Sequence, residues 1–198
     1  MTEARHWLLG LAAVGLLATG CTTSPTPTPE SPATSEKPSR PADLAVAGKP
    51  DTELCELLTA EQQSQLGVGR PTPDSEVNET TGVGFPGCGW LTPPGEDPPY
   101  DITVYAVPES TKDFMDRLSP AFPETEASYT VAGFPAKQAQ RGESLEQLGC
   151  MVGVDVADGQ TLGVFVGPGL MQVMSNKDIC DKAKQAAEAA VATLRSQG

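Results

Sequence analysis

Between residues 150 and 166 the apolar positions fall on every second residue. In "CMVGVDVADGQTLGVFV", Cys150, Val152, Val154 and Val156 share one face, and Leu162, Val164 and Val166 share a face of the run that follows. A period of two is that of a half-buried strand, and the break at Asp158-Gly159 reads as a hairpin. A two-residue turn there would set Asp155 opposite Leu162 and send the two aliphatic sets to opposite faces. A three-residue loop, Ala157 to Gly159 with Gly159 left-handed, pairs Val154 with Leu162 and Val152 with Val164, so one face becomes wholly apolar. The second register is the expected one.

The same reading places the other elements. "DITVYAV" from Asp101 is a strand with Ile102, Val104 and Ala106 on one face, and "ASYTVAGFPAKQAQ" holds two short strands broken at Gly133 to Pro135. Ser110 followed by Asp113 caps a helix carrying Phe114, Met115 and Leu118; Thr59 with Gln62 forms a capping box for a helix ending at Gly67. In the last helix Cys180, Ala183, Ala187, Val191 and Leu194 fall on one side. The expected fold is α+β: one antiparallel sheet flanked by helices, in a single domain over Asp51–Gly198.

One apolar run breaks the pattern. "WLLGLAAVGLLA", Trp7 to Ala18, would reach about 18 Å as a helix, too short for a hydrocarbon core of about 30 Å. Arg5 and the amino terminus precede it, and small residues follow, as in an export signal. Ala18-Thr19-Gly20-Cys21 resembles a bacterial lipobox, which implies that residues 1–20 are a signal peptide and that Cys21 becomes a lipidated amino terminus. Acyl chains contribute about 0.8 kcal/mol per buried methylene, so two or more hold a protein on a membrane without a spanning helix. Residues 21–50 then form a tether: Thr22 to Pro50 contains seven prolines and few large apolar side chains, a composition that stays extended.

Charge and cysteine content narrow the setting. The net charge is −13 and the signal's Glu3 and Arg5 cancel, so the exported chain stays acidic, which disfavours nucleic acid and gives no pull toward anionic lipid. With Cys21 on lipid, Cys55, Cys88, Cys150 and Cys180 remain, an even number that indicates two disulfides in an oxidising compartment. No spacing among them is that of a zinc site. Loop entropy does not choose between pairings, because its dependence on length is logarithmic. Cys88 and Cys150 lie in strand-like stretches and Cys55 and Cys180 at the starts of helical ones, which favours Cys88 with Cys150 and Cys55 with Cys180 over the other pairings.

Four pieces occur in order behind the lipobox: Cys55 before Leu57-Leu58-Thr59; Cys88-x-Trp90; Cys150-x-Val-x-Val-Asp-Val with Gly159-Gln-Thr-Leu162; and Cys180-Asp181-x-Ala183. They resemble the actinobacterial lipoproteins of domain-of-unknown-function family 3558. The resemblance spans nearly all of residues 51–198, with Leu54 where members usually have proline. It implies an exported, membrane-anchored domain and carries over no catalytic residue.

The chemistry on offer is limited. The one histidine, His6, lies in the signal, which removes histidine-based catalysis and histidine-ligated metal from the exported chain, and two disulfides leave no thiol nucleophile. No catalytic residue, metal or cofactor is expected. Asp155 alternates away from the valines onto a polar face. Asp74, Glu76 and Asn78 imitate a calcium loop, but Glu79 replaces its turn glycine and Phe85 its closing Glu, so the stretch reads as solvated, as do Glu96, Asp97 and Asp101. Asn78-Glu79-Thr80 matches a glycosylation acceptor, discounted in a bacterial chain. Trp90 and the group Leu170, Met171 and Met174 are the candidate ligand contacts, although core packing is the stronger reading for both. The expected function is non-catalytic binding of an envelope ligand or protein by a lipid-anchored module on the outer face of the cell membrane; the rival is a carboxylate-dependent hydrolase of envelope polymers.

Overall fold

Capping boxes and alternation build the elements much as the residues dictate. The computed structural model describes residues 40–74, 84–96, 98–142, 149–169 and 174–198, with the backbone alone for 124–126. In chain order they form α1 (Asp51–Leu54), α2 (Ala60–Leu66), β1 (Pro71–Pro73), β2 (Gly87–Leu91), β3 (Tyr100–Val107), α3 (Thr111–Leu118), β4 (Glu124–Val131), β5 (Phe134–Gln140), β6 (Cys150–Ala157), β7 (Gln160–Pro168) and α4 (Asn176–Gln197). The strands make one antiparallel seven-stranded sheet in the order β1-β2-β3-β7-β6-β5-β4.

The β6–β7 hairpin has the expected register, with Val154 opposite Leu162, Val152 opposite Val164 and Gly159 at φ 67°. Its extra residue sits elsewhere: Ala157 pairs with Gln160, so the bulge falls at Val156 rather than in the loop. β4 and β5 meet at Ala132-Gly133, both at positive φ, as a two-residue hairpin turn requires; Phe134 and Pro135 belong to β5. Thr59 and Gln62 exchange both bonds of a capping box, Gly67 ends α2 in the left-handed conformation, and the Ser110 side chain accepts from the Asp113 amide.

The sheet has two unlike faces. On the first, Ile102, Val104, Val152, Val154, Leu162, Val164 and Val166 are buried beneath α4, whose Ala183, Ala186, Ala187 and Ala190 are wholly buried and let helix and sheet approach closely. On the second, the eight-residue α3 sets Phe114, Met115 and Leu118 against Tyr105, Met151 and Phe165. There Gly153 and Gly163 leave room for it: a Cβ on Gly153 would stand 3.2 Å from Thr111 Cγ2, and one on Gly163 3.3 Å from the Phe114 ring. Thr161 donates to the Glu109 carbonyl at 2.9 Å and lies 2.9 Å from the Thr111 hydroxyl, so the start of α3 is held to β7.

The disulfides are Cys55–Cys88 and Cys150–Cys180, which corrects the expected pairing. Strand order is the reason. β3 and β7 lie between β2 and β6, putting Cys88 and Cys150 roughly 14 Å apart at about 4.8 Å per strand. Each bridge instead ties a strand to the segment covering it, β2 to the end of α1 and β6 to α4. The folded body also starts earlier than the expected boundary at Asp51. Val46 is fully buried, the Leu44 amide donates to the Val156 carbonyl at 2.8 Å, and Gln160 Oε1 accepts from the Val46 and Ala47 amides at 2.9 and 2.8 Å.

Peptide mapping of the unreduced protein should therefore recover Cys55 linked to Cys88 and Cys150 linked to Cys180. Replacing Cys150 and Cys180 together by serine should remove about 3 to 4 kcal/mol of stability in a denaturant titration, from a closed loop of about thirty residues. A Cys88–Cys150 peptide would refute the assignment.

Candidate functional site

Because α3 has only eight residues, it covers β7, β6 and the near side of β5, and among the described residues nothing covers the second face of β4. A groove of about 590 Å³ lies there, walled by Ser110, Thr111 and Lys112 at the start of α3 and floored by Ser128, Thr130 and Lys137. Ser128 stands opposite Lys137 and Thr130 opposite Pro135, so hydroxyls and aliphatic surface alternate across the floor. Asp155 and Gly159 close one end.

The acid at that end is already engaged. Arg40 reaches Asp43 at 2.8 Å, Asp155 at 3.0 Å and Asp158 at 2.8 Å, and its side chain is only 10% exposed. Hydrogen bonds to Asp43 and Asp158, outweighing burial, hold it still more firmly protonated than usual. The chain thus enters the body across the β6–β7 turn, with Pro41 beside Gly133 at the neighbouring turn. Lys112 pairs with Asp116, whose carboxyl is held below the usual range by Lys112 and more weakly by Lys137. Tyr129 donates to Gln138 at 3.3 Å; burial, with Glu188 nearby, pushes its hydroxyl up to about 12.

A second groove of about 300 Å³ opens near the other edge, lined by Thr72, Asp74, Leu91, Asp101 and Thr103. Leu91 is 68% exposed. The Asp101 carboxyl is pushed up to about 6, mainly by burial and further by the charge of Asp74, against a backbone hydrogen bond that lowers it. Two acids from different stretches of sequence thus act on one another beside a cleft.

The residues singled out in sequence fall differently. Trp90 is fully buried in the first-face core beside Cys88, its Nε1 without a hydrogen-bond partner, and is no ligand platform. Met174 is buried in the same core. Cys21, Leu170 and Met171 lie outside the described residues. The groove residues of α3 and β4 were missed, since only the Ser110 cap and the alternation in "ASYTV" signalled them locally. No group of three potential metal ligands occurs among the described residues.

These features define a disulfide-bonded α+β domain built on one antiparallel sheet, grooved on its half-covered face. Residues 16–193 match the family described as Protein of unknown function (DUF3558), and the chain belongs to it. Comparison with curated proteins and with solved structures finds no match. No described helix is long and apolar enough to cross a membrane, and the disulfides are compatible with an extracytoplasmic location.

Asp101 gives a pH test. Its folded pKa lies above the unfolded value of about 3.9, so the folded state binds the proton more tightly and stability falls as pH rises from about 4 to 6, then levels. Asp101→Asn should match the parent at pH 4 and exceed it at pH 7.5 by about 1 to 3 kcal/mol in denaturant midpoints, at 1.36 kcal/mol per pKa unit. Equal stability at pH 7.5 would contradict a desolvated carboxyl.

Proposed function

We infer that this is a non-catalytic binding module held on the outer face of the cell membrane by lipid on Cys21. The observation that carries the binding part is the 590 Å³ groove, whose one carboxylate among the described residues, Asp155, is paired with Arg40. A half-open recess with hydroxyls and aliphatic surface suits recognition. The anchoring part draws on the lipobox-like Ala18 to Cys21 and on the family match, which begins at residue 16 and takes in that stretch. The disulfides agree with the compartment. The partner is an envelope ligand or protein.

A second reading has one observation in its favour: Asp101 beside Asp74 in the smaller groove, with a carboxyl that keeps its proton near pH 6. That is a property of general acids in carboxylate-dependent hydrolases. Turnover of purified envelope polymers that disappears in Asp101→Asn would replace the binding reading with this one.

Two measurements test the binding reading. Fed a labelled fatty acid, cells should label the parent and not Cys21→Ser; equal label would refute anchoring through this residue. In a thermal-shift screen of envelope components, a groove ligand at a hundredfold excess over Kd should add about 2.7 kcal/mol to the parent and nothing to Lys137→Trp, which fills the groove. A ligand that stabilises both equally binds elsewhere and would contradict the assignment.

A further inference from the structure

The two edges of the sheet are finished differently. β1 is three residues long and carries Pro71 and Pro73, two backbone nitrogens that cannot donate to an added strand. β4 is eight residues long, contains no proline and, among the described residues, pairs with β5 alone.

The hairpin determines which backbone groups remain on that edge. Val131 and Phe134 flank the two-residue turn as a hydrogen-bonded pair, so ladder bonds recur at Tyr129 and Ala127. The amide and carbonyl of Ser128 and of Thr130 therefore point away from β5. Pro135 opposite Thr130 agrees with this, since a non-bonded position needs no N–H from it toward β4. The same two residues line the large groove, and both are exposed. A free backbone ladder beside a recess for alternate side chains is what strand addition uses, the first for affinity and the second for selectivity.

Charge selects the occupant. Two copies of this chain would each bring a net charge of −13, so pairing with a second β4 is opposed and a basic segment is drawn in by the protein as a whole, while Lys112 and Lys137 at the groove favour uncharged side chains there. We propose that β4 accepts an extended, net-positive segment of another protein as an eighth strand, with alternate uncharged side chains of that segment entering the groove beside Thr111 and Pro135. The proposal rests on the binding reading above and names its ligand class.

The probe is a synthetic peptide, Lys-Val-Thr-Val-Thr-Val-Lys, added to the full chain, with a Glu-flanked version and a version N-methylated at alternate amides as controls. The basic peptide should slow amide exchange at Ser128 and Thr130 at least tenfold, and both controls should bind at least tenfold more weakly. Ser128→Pro removes an outward N–H and no bond to β5, so it should keep the parent's melting midpoint and lose at least tenfold in peptide affinity. If that variant misfolds, the N-methylated peptide still decides, because it leaves the protein unaltered. Unchanged exchange at the two amides, or equal binding by the N-methylated peptide, would overturn strand addition. Concentration-dependent dimerisation abolished by Ser128→Pro would make a second copy the occupant and also overturn it. A small groove ligand that stabilises the parent and not Lys137→Trp, where the basic peptide slows neither amide, leaves the binding reading standing; failure of both ends both.

Discussion

The close seating of α4 on the aliphatic face of β3, β7 and β6 is the contact on which the rest of the molecule depends. Four wholly buried alanines give the helix a flat surface, and the valines of β6 and β7 give the sheet a matching one. Dispersion and apolar burial act over the whole length of that contact, and Cys150–Cys180 holds it in the unfolded-state ledger as well by restricting the open chain. Cys55–Cys88 does the same at the β2 end, where Asp51 also accepts from the Gly87 amide.

A well-sealed first face allows the second to be covered incompletely. α3 is only long enough to bury its aromatic cluster against Tyr105, Met151 and Phe165, and glycines at 153 and 163 draw it close to the middle strands rather than out over the edge. The uncovered strip of β4 and β5 becomes the groove. Its end is finished by the segment at Arg40, whose guanidinium binds Asp155 on β6 and Asp158 in the β6–β7 turn. Arg40 and the groove therefore share one end of the sheet.

Local signals were legible wherever a wrong choice would bury a charge or expose a core face. The β6–β7 register could be read because a one-residue slip would turn Val152 and Val154 outward. The caps at Thr59 and Ser110 could be read because orphan amides need an acceptor within three residues. The disulfide pairing could not, since it follows from the order of strands across the sheet, and β3 inserting beside β7 leaves no trace in the local pattern. The Arg40 cluster was equally hidden: its partner Asp155 is 115 residues away, and the surrounding Pro- and Ala-rich stretch reads as tether until Val46 is seen in the core. The groove joins α3, β4 and a distant turn, so no single segment announces it.

The most direct test of this account is native-state hydrogen exchange on the intact, oxidised protein. The amides of Val152, Val154 and Val164, with those of Ala183 and Ala187, should exchange only through global unfolding and share one opening free energy. Exchange at Val152 and Val164 through a separate, lower-energy opening, with α4 still protected, would show that helix and sheet do not stand or fall together.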